Sequence, residues 1–325
     1  MPRRDANASV GPVRRPIAIV VASATVGLSI CAVCAANRAE AFVPPNAART
    51  ERRGDMVLVP GATFRFEVQA TWQGWLPGSS AIGDPAGYEV TVGSFLIDRT
   101  EVTVAAYTDC VVTGVCPALV EGDNYSTTHT SICTYDKAGL EQHPVNCVTH
   151  DEAEKYCAFA GKRLPTEYEF ELAERGPNGR PFPWGSEAAT ATLVNACDAA
   201  CAREAMSKLG ETFSSMYSND PNADDGWGFT APVGSYPGGA SLYGALDLSG
   251  NVEEWVSDPW WDLPPSSTSG VLGPMGKSTA PNGDYVVRGG SWDLNGMELF
   301  SGTRRTNAAE HTRAAWLGFR CARDA

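Results

Sequence analysis

Regular alternation of apolar and polar positions ends near Arg175. Met56-Val57-Leu58-Val59, followed by Pro60-Gly61, reads as a strand and a turn. Tyr88-Glu89-Val90-Thr91-Val92 alternates over a short strand, and Ser94 to Arg99 continues into a second strand or an extension of it. Thr103 is placed to cap a helix carrying Tyr107 and Cys110.

Two helix starts are written more explicitly. Thr149-His150-Asp151-Glu152 fits a capping box, in which the threonine hydroxyl and the glutamate each bond a backbone N–H of the first turn. Ala153, Tyr156, Cys157 and Ala160 follow at helical spacing, and Gly161 is a natural stop. Thr166-Glu167-Tyr168-Glu169 repeats the box after Pro165, with Phe170 and Ala173 on one face. Beyond Arg175, Gly, Pro, Asn and Asp dominate, so order there is expected from disulfides, ions and buried tryptophans.

Composition supports a loop-rich globular chain. It has 325 residues, 43% of them apolar and 19% charged, with 33 Gly, 22 Pro and 9 Trp. That length allows one large domain or two small ones. No internal repeat or low-complexity tract is present. The reading is residues 42–55 as a linker, rich in Arg and Pro, and residues 56–325 as the folded domain.

The first 41 residues read as an export signal. Arg3, Arg4, Arg14 and Arg15 are basic, Pro16 to Ala36 is mostly apolar, and Ala39-Glu40-Ala41 is an A-x-A site that would free Phe42. The apolar run is also long enough for an uncleaved membrane anchor. Leu28-Ser29-Ile30-Cys31 faintly resembles a lipoprotein box. The expected location is therefore exported: secreted, periplasmic or at the cell surface, with membrane contact only through an uncleaved or lipidated N-terminus. The whole chain carries −13; residues 1–41 hold five Arg against two acids, so the remainder carries −16. Such a surface repels nucleic acid and anionic headgroups.

Beyond residue 41 there are eight cysteines: Cys110, Cys116, Cys133, Cys147, Cys157, Cys197, Cys201 and Cys321. An even number in an exported chain suggests disulfides. Eight cysteines allow roughly a hundred pairings, so sequence alone does not choose among them. Short separations favour Cys110–Cys116, Cys133–Cys147 and Cys197–Cys201, which leaves Cys157 with Cys321. Zinc is disfavoured, because no C-x-x-C pair lies past residue 34 and only four His are present.

A series of motifs then gives a family resemblance. Gly161-Lys162-Arg163-Leu164-Pro165-Thr166-Glu167 comes first, followed by Pro183-Trp184-Gly185 and Thr230-Ala231-Pro232-Val233-Gly234. Asp247-Leu248-Ser249-Gly250-Asn251-Val252-Glu253-Glu254-Trp255, Arg288-Gly289-Gly290-Ser291-Trp292 and Gly318-Phe319-Arg320-Cys321 complete it. In kind and order they resemble the formylglycine-generating, sulfatase-modifying factor family over roughly residues 56–323. The resemblance implies an α+β fold, a variant of the C-type-lectin-like fold with much irregular structure. It also implies a bridge between Cys157 and Cys321, in agreement with the pairing left over above.

The resemblance further implies two calcium sites. The first would use Asn195, the carbonyl of Ala196, Asp225 and the carbonyl of Trp227. The second would use Asp247, the carbonyls of Gly250 and Val252, and Glu254. Oxygen ligands of this kind suit a hard cation. Active family members also bind copper(I) through two thiolates and oxidise a cysteine in a C-x-P-x-R context to formylglycine; a soft metal requires those thiolates. Here the two positions fall on Leu294 and Leu299, and no cysteine lies anywhere from residue 202 to 320. Calcium is therefore the expected cofactor, and copper is not.

Ser291, Trp292, Asp293, Arg304 and Arg305 are the candidate pocket residues, with His311 and Glu310 within possible reach. Related branches of the family include sulfoxide synthases that hold iron with histidines, but His129, His143, His150 and His311 show no i, i+4 pair and read as surface or capping residues. Three functions remain. The leading one is a binding module without oxidase activity, with Trp260, Trp261 and Trp292 available to stack on a glycan, peptide or protein ligand. The others are an enzyme of altered chemistry, as in pyoverdine-maturation homologues that lack the copper cysteines, and a true formylglycine-generating oxidase.

Overall fold

The computed structural model describes residues 55–71, 82–119, 132–209, 222–260, 283–294 and 301–325. Residues 1–41, the linker up to residue 54, Trp261, Leu299 and His129 lie outside the described residues. Among the described residues no helix is long and apolar enough to cross a membrane.

The chain folds as mixed helix and sheet. Strands β1 (Met56–Val59), β4 (Phe95–Asp98) and β9 (Ala322–Asp324) form one antiparallel sheet in the order β1-β4-β9, so the first and last described strands flank β4. β2 (Ala62–Thr71) and β3 (Ile82–Val92) make a two-stranded ribbon; β3 starts earlier than the Tyr88–Val92 alternation suggested. β5 (Glu253–Pro259), β6 (Asp284–Arg288), β7 (Arg305–Ala309) and β8 (Leu317–Phe319) form a sheet in the order β7-β6-β5-β8, with only β5 and β8 parallel among its pairs.

The helices follow their caps. The Thr103 hydroxyl accepts from the Ala106 N–H at the start of α1 (Val104–Val112). Both capping boxes are present, Thr149 with Glu152 on α2 (His150–Phe159) and Thr166 with Glu169 on α3 (Glu167–Arg175). Gly161 takes φ +71° just past α2, a left-handed value that glycine adopts without Cβ strain. A fourth helix, α4 (Ala199–Leu209), was not read from the sequence; the Asp198 carboxylate accepts from Ala200 N and Cys201 N in its first turn.

β5 and β6 lie between two apolar clusters. Trp255, Val287, Leu317 and Phe319 join Tyr107, Tyr156 and Leu164 on one side. Val256 and Val286 join Phe64, Phe66, Phe95 and Phe170 on the other. Strands buried on both faces carry no alternation, which explains why none was visible past Arg175.

Order in the second half also comes from buried ion pairs. Every residue of α3 is buried. Glu171 accepts from Arg288 Nη2 at 2.8 Å and Arg175 Nη1 at 2.7 Å, and Glu167 accepts from Arg305 Nε at 2.7 Å. The three favoured disulfides and the remaining pair all form: Cys110–Cys116, Cys133–Cys147, Cys157–Cys321 and Cys197–Cys201, with Cα–Cα separations of 5.3, 5.7, 5.6 and 5.0 Å. Cys157–Cys321 ties α2 to the segment between β8 and β9.

Candidate functional site

The four residues of the first implied calcium site meet in one neighbourhood. Asp225 accepts from Ala196 N at 3.2 Å through one oxygen and from Trp227 N at 2.9 Å through the other. Asn195 donates to Phe229 O at 2.9 Å and to Asn251 Oδ1 at 3.0 Å, while its own Oδ1 is buried without a hydrogen-bond partner. Burial, with Asp198 nearby, pushes the Asp225 carboxyl up to about 6. The buried Tyr236 hydroxyl lies within hydrogen-bonding reach of Asp225. Asp198 and Tyr236 were not among the sequence candidates. An orphaned amide oxygen beside two crowded carboxylates fits a hard cation.

The second set is also assembled, around an arginine the sequence reading did not place there. Asp247 and Asn251 have φ of +55° and +60°, and Gly250 has +80°, so the loop turns tightly between its two acids. A Cβ on Gly250 would fall 2.5 Å from the Asn195 carbonyl, which makes glycine obligatory and sets the two sites back to back. Val252 is buried at the entry to β5. Glu254 accepts from Arg320 Nε and Nη2, each at 2.7 Å. Asp247 Oδ2 accepts from Gly234 N at 2.6 Å. Glu101, which no motif marked, enters beside them, its Oε1 accepting from Asn251 Nδ2 at 3.0 Å. Among the described residues no three His, Cys, Asp or Glu side chains gather as a metal cluster, so either site would need backbone oxygens to complete it.

The candidate pocket residues separate into two groups. Ser291 Oγ donates to Asp293 Oδ1 at 2.5 Å, and Arg304 pairs with Glu253 and donates to Gly289 O at 2.9 Å. Burial pushes the Asp293 carboxyl up to about 6, with Glu253 adding and the Ser291 bond opposing. These groups form one buried polar patch. Trp292 and Arg305 point elsewhere. Trp292 is 1% exposed, donates to Ala315 O at 3.1 Å and packs edge-on against Phe229.

Arg305 bonds Glu167 and lies 4.1 Å over the ring of Trp260. This corrects the proposed aromatic platform: Trp292 is core, and Trp260, 9% exposed, is covered by a guanidinium. The exposed tryptophan here is Trp227, packed edge-on against His143.

The histidines divide similarly. His311 and Glu310 are exposed on the turn after β7. His143 and His150 are buried, where surface or capping positions were expected, and His150 opens α2 directly after the Thr149 cap. His150 stacks on Tyr285 at 3.6 Å, shares a hydrogen bond of 3.0 Å with Val256 O through Nε2, and is pushed down to about 4 by burial.

These residues do not fit copper. Leu294, at the first thiolate position, packs with Phe182, Trp184 and Val194. All eight cysteines among the described residues are bridged.

Comparison with known proteins agrees with the motif series. The sulfatase-modifying factor enzyme 1-like domain matches residues 41–325. A hercynine oxygenase from Mycolicibacterium smegmatis is 34% identical, over 77% of this chain and 57% of its own length. Formylglycine-generating enzymes from Mus musculus and Streptomyces coelicolor are each 29% identical, covering 83% and 90% of this chain and 65% and 97% of their own. The chain thus spans little more than half of the first of these relatives. Among solved structures, PvdO from Pseudomonas aeruginosa superposes with a TM-score of 0.57 at 26% identity, covering 83% of this chain and 94% of its own. Treponema denticola variable protein 1 superposes at 0.53 with 19% identity, covering 83% and 95%, a likeness of fold alone. The chain belongs to the family defined by the sulfatase-modifying factor enzyme 1-like domain.

Proposed function

We propose that this is an exported, calcium-stabilised binding module on a C-type-lectin-like scaffold, without the oxidase chemistry of formylglycine-generating relatives. The observation that carries the reading is Leu294 seated in an apolar cluster at the thiolate position while every described cysteine is in a disulfide. Those disulfides also favour an oxidising compartment. Calcium would be held by Asn195, Asp225 and neighbouring carbonyls at one site, and by the Asp247 loop at the other. There it would supply charge balance and loop order. The ligand would be a peptide, protein or glycan.

The test is an array of glycans and peptides probed with the disulfide-intact domain, with and without chelator. The expected result is a ligand recovered with unchanged mass and weaker retention after chelation. A ligand recovered with altered mass would overturn the reading in favour of an enzyme of other chemistry. The buried Ser291–Asp293 pair beside Arg304 and Glu253 is the observation that favours that second reading.

A further inference from the structure

Three carboxylates and one guanidinium meet where β5 begins. Arg320 uses its donors on both oxygens of Glu254, on Asp247 O at 3.0 Å, and on Asp98 O and Arg99 O at 3.2 and 3.3 Å. That exhausts the N–H groups of a guanidinium. None remains for the carboxylates of Glu101 and Asp247, which lie side by side. Glu101 is 2% exposed. Asn251 donates to its Oε1, no N–H or hydroxyl donor reaches its solvent-sealed Oε2, and its carboxyl lies within hydrogen-bonding reach of that of Asp247. Arg320 is near both, but its N–H groups are spent elsewhere, and two adjoining buried carboxylates are costly unless a proton or a cation joins them.

We infer that Glu101 is a ligand of a divalent cation shared with Asp247, Asn251 fixing one carboxylate oxygen so that the other faces the ion. Arg320 neutralises Glu254, and the cation neutralises Glu101 and Asp247. This rests on the calcium reading above and adds to it a ligand from a segment that precedes the motif loop by well over a hundred residues.

The experiment is calorimetric titration of calcium into the chelator-stripped, disulfide-intact domain. D225N disables the first site, so that remaining binding reports the second. In that background E101Q is expected to weaken calcium binding by about tenfold or more, because one charged ligand is lost. E101D keeps the charge and withdraws the oxygen, and is expected to fall between the two. Unchanged affinity in E101Q, or in E101D should E101Q not fold, would overturn the role of Glu101. No calcium binding by the unmutated domain would instead overturn the calcium reading itself.

Discussion

Cys197 donates its backbone N–H to the carbonyl of Leu294 at 2.8 Å. The bond places a disulfide-bonded residue against the position that the motif resemblance assigns to a copper thiolate. Leu294 turns its side chain toward Phe182, Trp184 and Val194, while Cys197 packs with Cys201 and Trp292. The loop is thus held by its own hydrogen bond and by apolar packing.

One consequence is chemical. The disulfide-intact domain, unfolded without reductant, is expected to show no free thiol with a chromogenic disulfide reagent. One or more reactive thiols per chain would mean that a bridge is open and a copper ligand is available.

A second prediction concerns Arg320. Its guanidinium joins Glu254 to three backbone carbonyls. Arg320→Met leaves Glu254 charged, buried and unpaired, and is expected to cost about 3–5 kcal/mol. Arg320→Lys cannot reproduce the two-point contact and is expected to lose much of the same stability. Urea unfolding reads both; a loss below about 1 kcal/mol in the methionine variant would show that Glu254 finds another partner.

The helix starts were legible because a capping box is local: Thr149 and Glu152 bond each other's backbone within four residues. The long-range features were not. Glu167 and Glu171 look like ordinary acids at the start of a helix, and only the folded chain brings Arg288 and Arg305 to them. Glu101 carries no motif, and its partner Asn251 is 150 residues away. The motif loop itself was legible, with Asp247 and Glu254 flanking a tight turn, but the engagement of Glu254 by Arg320 was not. Tryptophan burial was also invisible: Trp260 and Trp292 read as residues available to stack on a ligand, and both are buried.

His150 gives the third prediction. Its folded value, about 4, lies below the ordinary imidazole value near 6.5, so the fold favours the neutral ring. That contribution is fully present above about pH 6.5 and is lost as pH falls through about 4. The span corresponds to roughly 3 kcal/mol. His150→Gln is expected to flatten the stability profile between pH 6.5 and 4, measured by urea unfolding at each pH. An unaltered slope would assign the acid lability to other groups.

The first proposed calcium site gives a fourth. Chelator is expected to lower the melting temperature, and calcium to restore it, by mass action on the native state. Asp225→Asn removes a charged ligand and is expected to shrink that shift while leaving the second site able to respond. Identical melting with calcium and with chelator would remove calcium from the account.

The most direct measurement is an oxidation assay. The disulfide-intact domain, supplied with copper(I) and oxygen, is mixed with a C-x-P-x-R peptide, and the peptide mass is followed beside an active formylglycine-generating enzyme as control. The account predicts an unchanged cysteine peptide while the control converts its own. Aldehyde product from this domain would contradict the claim that bridged cysteines and Leu294 exclude the family's oxidase chemistry.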